Sequence, residues 1–290
     1  MTTKHVESII TPREPHFVGD GFRVHNFIPG VLSMQRMSPF IMLDYNSKFV
    51  FPPSEQPKGV GVHPHRGFET VTIAYKGKVA HGDSAGNKGV IGEGDVQWMT
   101  AASGILHKEY HEEEFSKTGG EFQMVQLWVN LPAKDKMSAP KYQEVAKERI
   151  SKVVLPQQAG TIEVIAGEYD GIKGAASTFT PVHLFNARLT KGGIATFDFP
   201  QAYNTALLVV EGNIVINGNE VLATDHLALL ANDGEHFSIE ASEDSVVLVM
   251  SGEPIHEPIA TYGPFVMNTK AEILQAVEDF NLGKFGYLED

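Results

Sequence analysis

Short runs of apolar and β-branched residues, separated by glycine-containing turns, dominate the first half of the chain. Residues 70–75 read TVTIAY, residues 96–100 read VQWMT and residues 123–130 read QMVQLWVN, and side chains of these types are enriched in β-strands. Six glycines lie between residues 77 and 94 and mark turns among them. Many short strands with regular turn signals predict an all-β sandwich or small barrel.

The second half repeats this β pattern after a segment of different composition. Residues 132–158 are richer in Lys, Glu and Pro and poorer in strand pattern, so we interpret them as the connection between two halves. Apolar strands precede Gly77-Lys-Val and Gly212-Asn-Ile, one in each half. The likeness predicts a duplicated β-domain. Strand-like runs in the second half cover residues 182–189, 194–199, 205–210, 213–216, 226–230, 237–240 and 245–251.

The last part of the chain changes to a helical pattern. Thr269 is followed three residues later by Glu272, which is the pattern of a capping box at a helix start. Gly283 suits the helix end. The spacing predicts one amphipathic helix whose apolar face consists of Ile273, Leu274, Val277 and Phe280.

Composition narrows the class of protein. The 290 residues allow one large or two ordinary domains, and the absence of cysteine excludes disulfides, iron–sulfur clusters and a cysteine nucleophile. A formal net charge of −13 argues against binding nucleic acid through phosphate contacts. No apolar run has the length of a signal-peptide core or of a membrane span. These features predict an acidic, soluble, cytoplasmic protein.

Histidines and carboxylates at two-residue spacing supply the candidate chemistry. His63 and His65 lie in VHPHRGFE, and His107 and Glu109 lie in GILHKE. Side chains two residues apart on a strand project from the same face. Two such strands facing each other across a barrel bring three imidazoles and one carboxylate together, which is a site for a first-row transition metal. The second half has no His-x-His pair, so only the first copy is expected to carry metal.

Two further side chains share this strand parity. Glu69 falls on the same face as residues 63 and 65 and is therefore an alternative carboxylate ligand. His111 falls on the same face as His107, but Glu112, Glu113 and Glu114 follow it. We interpret His111 as part of a solvated turn rather than as a fifth ligand.

Six stretches of the chain resemble the pirins, which belong to the cupin superfamily. They run through both halves, and the combination of HPHRGFET with GILHxE in this order is specific. The stretches are PFIMLD (39–44), HPHRGFETV (63–71), GDVQWMTA (94–101), GILHKE (104–109), QLWVNLP (126–132) and GPFVMN (263–268).

The resemblance implies two tandem cupin (jelly-roll-type) β-barrels with a short C-terminal helix. Residues 1–135 are then an N-terminal cupin domain carrying the metal site, and residues 136–290 a C-terminal cupin domain without metal ligands. A mononuclear metal, most often Fe(II) in this family, is implied, and nickel, cobalt, manganese, copper and zinc are alternatives. The implied metal ligands are His63, His65, His107 and Glu109, which favours Glu109 over Glu69. The resemblance also brings Gln126 close to the metal, as a residue that lines the substrate pocket.

The resemblance implies two functions of different classes. Several bacterial pirins are associated with quercetin 2,3-dioxygenase activity, which implies a metal-dependent dioxygenase acting on an enolic or flavonol-like substrate with O2 and using Glu109 as catalytic base. Eukaryotic pirins imply instead a non-enzymatic, metal- and redox-dependent regulator that works through protein partners. A purely structural metal is a third reading, although structural sites usually complete a tetrahedral set of protein ligands. The enzyme reading is preferred, with no nucleic-acid or membrane partner, and the tandem barrels are expected to form a monomer.

Overall fold

The computed structural model describes residues 2–290, and its regular structure consists mainly of antiparallel β-strands. The strands of the N-terminal half are β1 (Val6–Ile10), β2 (His16–Val18), β3 (Phe22–Ile28), β4 (Phe40–Phe51), β5 (Gly59–His65), β6 (Phe68–Lys76), β7 (Val79–Asp83), β8 (Lys88–Ile91), β9 (Val96–Thr100), β10 (Ile105–His111), β11 (Gly120–Asn130) and β12 (Lys141–Val145). They are followed by β13 (Ser151–Val154), β14 (Gly160–Ala166), β15 (Glu168–Tyr169), β16 (Ile172–Lys173), β17 (Val182–Leu189), β18 (Ile194–Asp198), β19 (Asn204–Glu211), β20 (Ile214–Ile216), β21 (Glu220–Leu222), β22 (Leu227–Leu230), β23 (His236–Ala241), β24 (Ser245–Gly252), β25 (Ala260–Tyr262) and β26 (Phe265–Met267). The helices are α1 (Met34–Met37), α2 (Glu113–Thr118) and α3 (Lys270–Asn281).

The strands form two barrels of matching construction. The first barrel has a seven-stranded sheet, β12-β9-β6-β11-β4-β3-β2, and a four-stranded sheet, β5-β10-β7-β8. The second barrel has a seven-stranded sheet, β1-β22-β19-β24-β17-β14-β13, and a four-stranded sheet, β18-β23-β20-β21. The predicted all-β fold of two tandem cupin barrels with a C-terminal helix is confirmed, and the equal strand numbers match the duplication seen in the sequence.

The two compact units divide the chain differently from the boundary at residues 135 and 136. The first barrel comprises residues 14–35, 40–147 and 255–290, and the second barrel comprises residues 2–13, 36–39 and 148–254. Strand β1 belongs with the second barrel because it pairs with β22. The tail belongs with the first barrel, where Asp279 of α3 accepts a hydrogen bond from Arg66 at 2.8 Å. These assignments depend on pairings between residues far apart in sequence.

Helix α3 begins as the sequence predicts. Thr269 is its N-cap, and Thr269 and Glu272 form both bonds of the capping box. The predicted apolar face is wrong in two members, because Leu274 is 71% exposed and Phe280 is 39% exposed, while Ile273 is buried. Ala276 and the ion-paired Asp279 complete the buried side of α3.

The interior of the second barrel is filled with apolar side chains. Phe185, Phe197 and Phe237 are fully buried in a cluster together with branched aliphatic residues. Among the described residues, both groups of side chains with the spacing of metal ligands lie in the first barrel. No helix in residues 2–290 has the length and apolar character needed to cross a membrane.

Candidate metal centre and substrate cavity

Adjacent strands, rather than opposite walls of the barrel, bring the predicted histidines together. Strands β5 and β10 pair antiparallel in the four-stranded sheet, with His107 opposite His63 and Ile105 opposite His65. Their inward-facing side chains therefore meet on one face of one sheet. The expectation that the two strands face each other across the barrel is wrong, because hydrogen-bonded neighbours bring the side chains closer than opposite walls do.

The three imidazoles form a tight group. The ring centroids of His63 and His107 are 4.2 Å apart, those of His65 and His107 are 4.5 Å apart, and those of His63 and His65 are 4.9 Å apart. One nitrogen from each ring lies within 4.8 Å of the others. Separations of this size suit three nitrogens around a single ion.

Glu109 belongs to a second group that shares His107. A bulge interrupts the pairing with β5 between His107 and Glu109. Ligand atoms of Glu109, His107 and His81 lie within 4.8 Å of one another. His81 lies on β7 directly opposite Glu109, so its place depends on a strand pairing that the His-x-His spacing does not reveal.

His81 is held by its own neighbours. Its ring stacks on Tyr142 with an interplanar angle of 16°, and its Nδ1 lies 2.9 Å from Nε2 of Gln97. An amide Nε2 donates, so His81 Nδ1 accepts and the ring proton is carried by Nε2. With this tautomer Nε2 of His81 carries a proton rather than a lone pair, so we do not include His81 among the proposed ligands.

The donor set fits a metal ion. His107 is fully buried, and neither of its ring nitrogens has a hydrogen-bond partner in residues 2–290. Burial, followed by the adjacent imidazoles, holds the pKa of both His65 and His107 well below the usual histidine range. Neutral imidazoles with free lone pairs are the form that binds metals.

A backbone contact orients the third imidazole. Nδ1 of His63 lies 2.8 Å from the carbonyl oxygen of Gly61. Because a carbonyl accepts, Nδ1 carries the proton, and Nε2 is left with the lone pair that a metal requires.

Gln126 lies beside Glu109, where it lines the cavity. Its Nε2 donates to Glu109 Oε2 at 3.2 Å. The Thr72 hydroxyl is 2.6 Å from Gln126 Oε1 and 3.3 Å from Glu109 Oε1. These contacts fix the plane of the Glu109 carboxylate.

The histidines open on a cavity of about 370 Å³ in the first barrel. Its walls include His63, His65, Glu109 and Gln126, and its apolar lining consists of Val18, Phe22, Val24, Met42, Val60, Met124, Trp128 and Pro264. A volume of this size and a mainly apolar lining are typical of sites for small organic ligands. The second barrel contains a larger cavity of about 720 Å³, which has none of these ligand groups on its walls.

Glu69 is not part of either ligand group, which contradicts the parity argument. His65 ends β5 and Glu69 lies on β6, with Gly67 at φ 92° in the turn between them. A Cβ at position 67 would lie 1.9 Å from the carbonyl oxygen of Val266, so this turn requires glycine. Because this turn separates the two strands, the alternation of faces in β5 does not continue into β6. Glu69 instead accepts a hydrogen bond from Thr100 at 2.7 Å.

A Glu69→Gln variant is expected to retain its metal and to be less sensitive to pH. Burial raises the pKa of Glu69 to about 7, against the hydrogen bond from Thr100. The folded protein then holds a proton that the unfolded chain has lost, so the free energy of unfolding falls as pH rises from about 4.5 to 7. The variant should be more stable than the wild type by about 2 kcal/mol at pH 8, with little advantage at pH 5. Urea denaturation at both pH values measures the difference in stability. Loss of metal from the variant would contradict the expectation that Glu69 is not a ligand.

His111 lies outside both ligand groups, but its predicted solvated environment is wrong. The residue is buried, and its Nε2 donates to the carbonyl oxygen of Gly21 at 2.8 Å. Aromatic rings surround it, among them Phe51 at 4.6 Å and Phe122 at 4.6 Å between centroids. The glutamates that follow His111 begin helix α2, where Glu112 is the N-cap.

The fold and this centre define a two-barrel cupin with a histidine group in one barrel, and comparison with known proteins gives the family. The pirin family profile matches residues 21–129, and the profile of the pirin C-terminal cupin domain matches residues 184–286. The chain belongs to the pirin family.

The similarity to individual relatives extends over nearly the whole chain. A Pseudomonas aeruginosa protein named "Putative quercetin 2,3-dioxygenase" is 49% identical over 97% of this chain and 98% of its own length. A "Pirin-like protein" of Solanum lycopersicum is 40% identical over 93% of this chain and 89% of its own length. The crystal structure of quercetin 2,3-dioxygenase from Acinetobacter baumannii is similar with a TM-score of 0.94 and 47% identity, covering 99% of this chain and 100% of that chain.

Proposed function

We propose that this protein is a metal-dependent dioxygenase able to cleave quercetin-type flavonols with O2. The observation that carries the proposal is that the group of His63, His65 and His107 opens, through His63 and His65, onto a mainly apolar cavity of about 370 Å³. A purely structural metal has no need of such a cavity, because its protein ligands complete the coordination. The names of the 49% identical relative and of the 47% identical crystal structure support the same activity.

The proposed ligands are the three histidines and Glu109. Neutral His65 and His107 supply lone pairs, and His63 supplies Nε2. Glu109 joins them through its proximity to His107. A divalent ion bound there, for which we propose Fe(II), supplies the Lewis-acid and redox chemistry that lets an enolic substrate react with dioxygen.

Glu109 has a second proposed role as the base that accepts the proton of the flavonol 3-hydroxyl. Its carboxylate lies in the cavity wall beside the histidines. The amide of Gln126 donates to it, and the hydroxyl of Thr72, whose shorter contact is with Gln126 Oε1, holds that amide in place. A general base needs to be within hydrogen-bond reach of the proton that it removes, and these two contacts keep Glu109 oriented for that step.

The walls contribute by excluding water and by orienting a flat substrate. Trp128 stacks on Phe68 with centroids 4.1 Å apart and lies 5.2 Å from the ring of His65. Aromatic surface next to the ligands favours a planar aromatic substrate over a flexible aliphatic one. A dry site also strengthens the electrostatic contacts made by Glu109.

Oxygen consumption and carbon monoxide release test the proposal directly. The protein is loaded anaerobically with Fe(II), supplied with quercetin and exposed to O2, and parallel samples contain nickel, cobalt or manganese. We expect quercetin-dependent oxygen uptake with carbon monoxide released in equal amount. Bound metal without turnover of any flavonol, whichever metal is used, would overturn the proposal and favour a regulator that acts through protein partners.

A further inference from the structure

Polar side chains interrupt the apolar lining of the cavity on the wall formed by β4 and β11. These side chains are Asp44, Asn46 and Gln126. Asp44 is opposite Gln126 in the strand pairing, and Asn46 is opposite Met124. Gln126 is engaged with Glu109 and Thr72. Asp44 and Asn46 remain without a part in the proposed chemistry.

The Asp44 carboxylate is anchored at one oxygen. Its Oδ1 accepts a hydrogen bond of 2.6 Å from Nδ2 of Asn26, and the same amide donates to the carbonyl oxygen of Ile28 at 3.0 Å. No hydrogen bond to Oδ2 occurs in the part of the chain that the structure describes. The residue is only 9% exposed and lies in the cavity wall. One acceptor oxygen is thus held in a fixed position with its hydrogen-bonding capacity unused.

Asn46 adds a second unused group two residues along the same strand. It is 2% exposed, and neither its Nδ2 nor its Oδ1 has a hydrogen-bond partner in residues 2–290. Buried polar groups without partners are costly. Such groups in a cavity wall therefore indicate a ligand that completes their hydrogen bonds.

We propose that Asp44, assisted by Asn46, binds a hydroxyl group of the substrate remote from the oxygen that approaches the histidines. The substrate class is then a planar aromatic enol with at least one additional hydroxyl, rather than any enol that fits the cavity. This inference depends on the proposed function, because it takes the cavity as the substrate site.

The chemistry of the two groups supports this class of ligand. Burial raises the pKa of Asp44, against the hydrogen bond from Asn26. When the carboxylate is ionised it is an acceptor only, and its complement is a hydroxyl or N–H donor. Hydrogen bonds to charged groups are about twice as strong as neutral ones. A site built to bind a hydroxyl also discriminates strongly against an analogue that lacks it, because its own polar group is then left unpaired. Asp44 is therefore a specificity-determining residue.

Binding in the absence of O2 separates this inference from the proposed reaction. Titration calorimetry under anaerobic conditions compares quercetin with 3-hydroxyflavone, which has the metal-directed oxygens but lacks the other hydroxyls. For the metal-loaded wild type we expect quercetin to bind at least about tenfold more tightly. In Asp44→Leu, quercetin affinity should fall about 10- to 100-fold while that of 3-hydroxyflavone stays within about twofold.

Two further variants make the comparison decisive. Met42→Leu changes the shape of the same strand face without changing its polarity, so it should alter both affinities by the same factor. Asp44→Asn preserves the size of the side chain and serves as the second test if Asp44→Leu fails to fold. Because Asn26 donates to Oδ1, the new amide directs its NH2 group to the cavity. A substrate hydroxyl can accept from this group, so the selective loss of quercetin is expected to be smaller than in Asp44→Leu, since only the charged acceptor is removed.

The outcomes have distinct meanings. Equal weakening of both flavonols by Asp44→Leu and Asp44→Asn, or no weakening of quercetin, overturns the inference, as does a wild type that binds neither compound. Selective loss of quercetin binding supports it even if no turnover is observed with O2. In that case the proposed reaction fails while the assignment of Asp44 stands.

Discussion

His107→Gln is expected to abolish stoichiometric metal binding and to lower flavonol turnover by a factor of about 10³ or more. His107 is the one residue common to both ligand groups, and it is fully buried with both ring nitrogens unpartnered within residues 2–290. A glutamine supplies no imidazole nitrogen. Loss of a metal removes several kcal/mol of charge stabilisation in the transition state, and each 1.36 kcal/mol corresponds to a factor of ten in rate.

The matched control is His111→Gln on the same strand. His111 has the same parity as His107 and is also buried, but its Nε2 is used by the carbonyl oxygen of Gly21. We expect this variant to retain one metal per chain. Metal content by mass spectrometry, followed by oxygen uptake with quercetin, measures both variants. Stoichiometric metal in His107→Gln, or loss of metal only in His111→Gln, would refute the assignment of the centre.

The histidine group was predictable because it depends on local geometry. His63 and His65 share a face through strand periodicity alone, and the GILHKE motif identifies the strand with His107. The alternation of side chains between two faces predicts neighbours only within one strand. Glu69 shows this limit, because the turn at Gly67 separates β5 from β6 and the alternation starts again in β6. A glycine directly after Arg66 was the available signal.

Other features depend on pairings that no local pattern encodes. His81 meets Glu109 only because β7 pairs with β10 in a particular register. Strand β1 belongs to the second barrel only because it pairs with β22. Asp44, which lies in the cavity wall, is the last residue of the PFIMLD motif. This motif indicates the family, but it does not reveal what the Asp44 carboxylate binds.

The tail and the turn at Gly67 meet at a buried lysine that no pattern in the sequence singled out. Lys136 is 1% exposed, and its Nζ donates to three oxygens. These are the carbonyl oxygen of Gly67 at 2.7 Å, Oδ1 of Asn130 at 2.7 Å and the carbonyl oxygen of Val266 at 2.9 Å. The amine therefore joins the turn after His65, the end of β11 and strand β26 within the first barrel.

Lys136→Met is expected to lower the free energy of unfolding of this barrel by about 3 kcal/mol or more. Methionine fills a similar volume but leaves three buried acceptors without this donor, and each acceptor left unpaired costs about 1–3 kcal/mol. Lys134→Met, at an exposed position two residues away, should change stability by less than about 0.5 kcal/mol. Both tryptophans, Trp98 and Trp128, lie in the first barrel, so urea denaturation followed by their fluorescence reports on this barrel. Equal stability of the two variants would contradict this prediction. It would show that the three oxygens find other donors and that the amine does not hold the turn at Gly67 beside the histidine group.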